Sequence, residues 1–456
     1  GCAVADKEKW LKEYLEIVSD QVALVERSNE KAKNNQMIKR GLRNADGTGV
    51  LVGVTGIGSV QGYTMLDGER VPMPGELFFR GISATGIVDA HRAAGTFGYE
   101  EVAFLLLMGK LPTKEQYESF REMLAEARTL PSGFNEDVIF KAPSRNIMNS
   151  IQRGITSLYS YDPNPDDTSP ENMLRQSIEI VARMPAIVAN SYAVMKHYIM
   201  GKSLHIHNPK PQLSAAENFL RMARKDKEYD EDEAKLLDLM LMIHAEHGGG
   251  NNSAFVCRAV SSTGTDTYSA ISAAVGSLKG PLHGGANAKV MEMFNDIKAH
   301  VRDITDDEEV AAYLARVLDG EAGDRSGKIY GLGHAVYTLS DPRAVAIKKY
   351  ARDVADKKGR LHDLELLEKV ESIGGKLLAQ RKGLEIPPCA NVDLYSGLVY
   401  NMLSIPVELY TPLFAIARSA GWCAHRMEEV LTGHRIMRPA YRASKLRIPY
   451  TPMDKR

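Results

Sequence analysis

Cysteine is scarce, with four among 456 residues, at positions 2, 257, 389 and 423. None forms a C-x-x-C pair, and four in so long a chain is not a disulfide framework. A reducing compartment is therefore expected, cytoplasmic or an organelle matrix. Long apolar runs are also lacking: no stretch is expected to reach the ~20 residues that span a bilayer. Residues 1–5 run straight into charge and are too short for the core of a signal peptide. The chain opens on Gly1 without an initiator methionine, as expected after processing. Charge of one sign is missing too. The 57 basic and 58 acidic residues leave a net charge of −1, so no global field favours nucleic acid or an anionic membrane. Small molecules and other protein surfaces are the expected partners.

What the chain does contain is apolar content, 44% by residue, enough for a large core and a second, smaller one. In residues 6–33, Leu11, Leu15, Val18, Val22 and Val25 recur at alternating spacings of four and three. That is one apolar helix face, packed either on its own domain or on a partner subunit. Gly41 to Ile82 differs: Asp46-Gly47, Asp67-Gly68 and further glycines punctuate short β-branched runs, the pattern of hairpins. Gly56-Ile57-Gly58 followed by Gly62 misses the spacing of a dinucleotide loop and no helix follows, which argues against such a site.

From about residue 84 the pattern is helical nearly to the end. Ser169-Pro170 opens one helix, with serine as cap and proline at the first position. Ser214-Ala215-Ala216-Glu217 has the form of a capping box. Glu231 to His247 reads as an amphipathic helix stopped by Gly248. Residues 267–279 carry small side chains on most faces and predict a buried helix. There is no βαβ alternation and no repeat, so the expected class is nearly all-α with a small N-terminal hairpin region.

Three histidines stand beside glycines at expected helix ends: His247, His283 and His334. Glycine permits a ligand to approach the backbone closely. A metal is not expected: His244-x-x-His247 lacks a third ligand, and neither a His-Glu-x-x-His motif nor a cysteine cluster occurs. Asp341-Pro342-Arg343 has the form of a helix start. Arg343 in the first turn would favour a carboxylate, or else lie on the surface. Asp393, before an apolar helix, reads most simply as an N-cap, which would lower its pKa; a general base would need burial to raise it. Arg418, inside the apolar run 413–422, needs either an internal acid or a bound anion. Arg438 lies in a basic tail where a solvated charge is the default.

Taken together, these segments resemble the citrate synthase family. Gly280-Pro281-Leu282-His283-Gly284-Gly285-Ala286-Asn287, Gly331-Leu332-Gly333-His334-Ala335-Val336-Tyr337, Asp341-Pro342-Arg343 and Asn391-Val392-Asp393-Leu394-Tyr395-Ser396-Gly397 occur in the family's order and spacing. Residues 244–251 resemble its His-x-Asp-His region, with Glu246 where aspartate is usual. Phe414 to Trp422 and Arg438-Pro439 match its C-terminal arginine motifs.

The resemblance implies a helical homodimer. A large domain (1–286 and 388–456) would carry an inserted small one (287–387), with a shared active site in the cleft. It implies condensation of acetyl-CoA, as co-substrate rather than resident cofactor, with oxaloacetate to give citrate and CoA through an enol. It further implies that Asp393 is the base, that His283 stabilises the enol and that His334 polarises the oxaloacetate ketone. His247, Arg343 and Arg418 would hold oxaloacetate, with Arg438 reaching in from the neighbouring subunit. A 2-methylcitrate synthase, using propionyl-CoA with the same residues, is the near alternative. A silent helical dimer that only binds a CoA ester or a protein is the distant one.

Overall fold

The computed structural model describes residues 2–33, 38–433 and 435–456. Among them are seventeen α-helices and one three-stranded antiparallel sheet, so the nearly all-α expectation holds. The chain divides into two units, 1–54 with 437–456, and 55–436.

In the first unit the N-terminal helix runs from Cys2 to Lys33. Leu15, Val22 and Val25, three of its regularly spaced apolar residues, are about half exposed (54%, 50% and 46%), so this stripe is not core. The side chain of Leu11 lies outside the described ones. Residues 437–456 are largely exposed and irregular, apart from the short turn Met453–Lys455.

The second unit opens with a hairpin of Gly58–Leu66 and Glu69–Phe79. Asp67 and Gly68 both take positive φ (51° and 80°) at its turn, the conformation that favours Asp-Gly there. Helices follow almost without interruption. Ser169 and Ser214 cap Pro170–Tyr198 and Ala215–Ala223 as the sequence predicts, the latter with a full capping box.

Two expectations need correction. Pro170–Tyr198 is long and apolar enough to cross a membrane, although no such run was expected. It is instead a core helix, with 83% of its most apolar window buried. The helix starting at Glu231 ends at His244, three residues before His247, and it is not amphipathic in its second half. Leu236 to His244 are all buried, because helices pack around it: Tyr99–Met108, Ala215–Ala223, Pro342–Lys357 and Tyr410–Thr432.

The small-residue helix Thr267–Lys279 is buried as expected, with Ala270, Ile271, Ala274 and Val275 wholly inaccessible. It packs between Ile147–Leu158 and Asn252–Ser261. A Cβ on Gly276 would lie 2.7 Å from Gln152 Nε2, so that flexible side chain would have to shift to admit one.

Candidate active site

Five segments of the 55–436 unit bring one group of titratable side chains together. The first is the turn after Glu231–His244. There Gly248 adopts φ +80°, and Asn251 donates through Nδ2 to the carbonyls of His247 (3.3 Å) and Gly248 (2.7 Å). Asn251 also caps Asn252–Ser261, so His247 is braced against a helix start.

The second segment is the turn between Thr267–Lys279 and Ala286–His300, which carries His283. A Cβ on Gly284 would meet Leu278 O at 2.4 Å, so glycine is required for this tight return. The Ser253 N–H points at His283 Nε2 (3.3 Å), and the Ser253 hydroxyl lies 2.9 Å from the same nitrogen. Trp422 Nε1–H donates to that hydroxyl at 3.1 Å. A ring nitrogen that accepts a backbone N–H carries no proton, so His283 is protonated on Nδ1.

The third and fourth segments are tied together. Asp341 caps Pro342–Lys357 and Pro342 takes the first position, as expected. The Asp341 carboxylate accepts from Arg343 N–H (2.9 Å), Nε (3.1 Å) and Nη2 (2.9 Å), and from the Val392 N–H (3.1 Å). Asp341 and Arg343 are both buried. Gly333 N–H donates to Cys389 O, Asn391 N–H to Gly331 O, and Asn391 Nδ2 to Gly333 O. The His334 loop and the start of the Val392–Met402 helix are thus hydrogen-bonded to each other. His334 Nδ1 accepts the N–H groups of Val336 (2.9 Å) and Tyr337 (3.1 Å), which leaves Nε2 as the donor.

Asp393 is not the N-cap. Asn391 is, its side chain accepting the Asp393 N–H at 3.0 Å. The Asp393 carboxyl is therefore free of capping. Burial pushes its pKa up to about 6, against the pull of Arg343 and with a push from Asp341.

Arg418, from Tyr410–Thr432, is 1% exposed. Its Nε donates to His244 O at 2.7 Å and its guanidinium lies 4.7 Å from the Phe414 ring centre. No carboxylate lies within ion-pair distance of it among the described residues; burial lowers the Arg418 pKa to about 10, opposed by the charge of buried Glu246. His283 packs on the same Phe414 ring, centroids 6.1 Å apart, and His247 and His334 lie 5.5 Å apart. Burial, then the nearby arginines, lowers the pKa of His283 and His334 to about 4 and that of His247 well below its usual value. All three rings are neutral at neutral pH.

Six of the seven expected site residues belong to this group. Arg438 lies exposed in the other unit. Glu246, the departure from the family's aspartate, is wholly buried. Its Oε2 accepts from Gly248 N–H (3.0 Å) and lies 2.7 Å from His425 Nε2. Sequence reasoning missed Tyr337, whose hydroxyl is 2.9 Å from His247 Nε2. The available signal was an aromatic three residues after a glycine-flanked histidine.

A carboxyl of raised pKa, neutral imidazoles and two buried guanidiniums suit the chemistry of a transferase that takes a proton from carbon next to a carbonyl and holds an anionic substrate. The family profile described as "Citrate synthase, C-terminal domain" matches residues 46–440. A citrate synthase of Deinococcus radiodurans is 35% identical over 75% of this chain and 84% of its own length. A "Citrate/2-methylcitrate synthase" of Bacillus subtilis is 34% identical over 75% and 85%. The citrate synthase of the archaeon Thermoplasma acidophilum was solved as a ternary complex with carboxymethyl coenzyme A and oxaloacetate. It superposes with a TM-score of 0.74 at 26% identity, over 92% of this chain and all of the other. The chain belongs to the citrate synthase family, and is an enzyme of that acyltransferase kind.

Replacing Asp341 by Asn leaves Arg343 buried without its counter-charge. The expected loss of stability is about 3–5 kcal/mol, measured by denaturant titration. A loss below ~1 kcal/mol would show that the pair does not hold these segments together.

Proposed function

We propose that this group condenses acetyl-CoA with oxaloacetate. Asp393 removes a proton from the acetyl methyl while His283 Nδ1–H donates to the thioester oxygen, where charge develops as the enol forms. His334 Nε2–H polarises the oxaloacetate ketone, which the enol carbon then attacks. Water cleaves the resulting thioester to give citrate and CoA. Arg418 offers Nη1 and Nη2, and Arg343 its Nη1, to the oxaloacetate carboxylates, with His247 beside them. The observation that carries this reading is the pair of fixed tautomers: the inner nitrogens of His283 and His334 accept backbone N–H groups, so each ring presents a donor without a positive charge.

The enzyme is proposed to act as a homodimer, with Arg438 of the neighbouring subunit completing the oxaloacetate site. The 287–387 segment would form the small domain that closes to exclude water before the enol forms. Acetyl-CoA enters as a co-substrate. Propionyl-CoA, giving 2-methylcitrate, is the second reading, supported by the similarity to the citrate/2-methylcitrate synthase of Bacillus subtilis. The two esters differ by one methylene, worth about 1–3 kcal/mol of discrimination.

The test is release of free thiol from acetyl-CoA or propionyl-CoA in the presence of oxaloacetate. No thiol from either ester would refute the reading, and a larger kcat/KM for propionyl-CoA would favour the second one. In this assay His283→Ala should lower kcat about 100- to 1,000-fold with oxaloacetate binding nearly intact; a near-normal kcat removes His283 from the enol step. Asp393 works as the carboxylate, and its pKa is about 6. The kcat/KM for acetyl-CoA should therefore fall about tenfold per pH unit below that value. A flat profile from pH 7 to 5 would exclude Asp393 as the base.

A further inference from the structure

The glycine-rich hairpin plays no part in the chemistry above, yet it is shaped around the site. A Cβ on Gly75 would lie 2.1 Å from Ser340 O and 2.5 Å from Tyr337 Cδ1. A Cβ on Gly62 would lie 2.3 Å from Val336 O and 2.7 Å from Tyr337 Cα. Gly75 N–H donates to Ser340 O at 3.1 Å, and the Thr338 hydroxyl reaches the carbonyls of Gly62 and Met73. Loop 336–340 is thus seated on the hairpin by close backbone approach, with Tyr337 at its centre.

Tyr337 is 3% exposed and touches three of the proposed oxaloacetate ligands. Its ring centre lies 4.4 Å from that of His334 and 5.5 Å from that of His247, with the Arg343 guanidinium 5.8 Å away over its face. Its backbone N–H is one of the two donors to His334 Nδ1, and its hydroxyl is the group at His247 Nε2.

We propose that Tyr337 is the positioning residue that sets the tautomer of His247, its hydroxyl donating to Nε2 so that Nδ1 carries the ring proton, and that Gly62 and Gly75 exist to seat it there. The direction of this bond follows from counting protons. A phenol has one, and His247 Nε2 is its only hydrogen-bond partner among the described residues. Were Nε2 the donor instead, the phenol proton would have no acceptor among the described residues, at a cost. Burial raises the Tyr337 pKa and lowers that of His247, so both groups are neutral and no proton is transferred. One tyrosine therefore fixes two histidines in opposite senses: His334 as an Nε2–H donor through its backbone, His247 as an Nδ1–H donor through its hydroxyl. Two adjacent N–H donors suit an anionic keto acid, so this inference rests on the reading of both histidines as oxaloacetate ligands.

The test is Tyr337→Phe, which keeps the ring and the backbone bond to His334 and removes only the hydroxyl. Protein labelled with 15N-histidine reports each tautomer without substrate, and His247 is identified by its absence from the spectrum of His247→Gln. In the unsubstituted enzyme His247 should show a protonated Nδ1 and an unprotonated Nε2. In Tyr337→Phe that pattern should be lost for His247 and kept for His334. KM for oxaloacetate should rise about tenfold, the scale of one buried hydrogen bond, with kcat within about threefold and Tm nearly unchanged. His247 signals identical in the two proteins would overturn the proposal. So would a changed tautomer with an unchanged KM, which would show that the tautomer does not serve oxaloacetate. Thiol release by the unsubstituted enzyme judges the proposed function separately.

Discussion

The buried carboxylate of Asp341 is the joint on which the site depends. One group caps the Pro342–Lys357 helix, holds Arg343 through Nε and Nη2, and receives the first N–H of the helix bearing Asp393. A charge this deeply buried is tolerated because every direction around it holds a donor. The same bonds set where Asp393, His334 and Arg343 stand relative to each other. The backbone bonds between Gly331, Gly333, Cys389 and Asn391 extend that joint across the His334 loop.

The arginines act at a distance as well as by contact. Arg343 and Arg418 face a group of histidines already disfavoured as cations by burial, and their charges lower the imidazole pKa values further. A histidine with a lowered folded-state pKa contributes stability that is lost as pH falls from its unfolded value near 6.5. For His283 and His334 that window closes at about 4. Asp393 works in the opposite sense. Its raised pKa means that the folded chain takes up a proton first, so its burial cost is relieved as pH drops below about 6. The two effects oppose each other: the histidines favour the fold above about pH 6.5 and Asp393 favours it below about 6.

Close backbone approach is the other structural theme. Glu246 is longer than the family's aspartate by one methylene, and the chain makes room for it with glycine. A Cβ on Gly58 would lie 2.3 Å from its Oε2, and one on Gly421 would lie 2.9 Å from its Oε1. The carboxylate there holds the turn that carries His247 and continues through His425 to Arg258, which pairs with Glu428 and Glu429. In the hairpin, Gly62 and Gly75 do the same for loop 336–340. Glycines that read as turn signals in the sequence are here sites of contact between elements.

The sequence by itself determined what is local. The caps at Ser169, Ser214 and Asp341, the Asp-Gly turn at 67–68 and the buried small-residue helix 267–279 follow from short-range geometry and side-chain size, and all appear where expected. The order of the histidine, arginine and aspartate motifs was enough to suggest the family. Tertiary structure alone decided what depends on residues far apart in the chain. Asp393 looked like a cap, but Asn391 took that bond and left the carboxyl to be desolvated and raised. Arg418 could have met an internal acid or a bound anion; it donates to a carbonyl, packs on an aromatic ring and feels the charge of buried Glu246 without an ion pair to it. Tyr337 was invisible as a functional group, because its meaning comes from His247, ninety residues away. Protonation state, tautomer and charge balance are properties of a packed environment, and a linear pattern does not carry them.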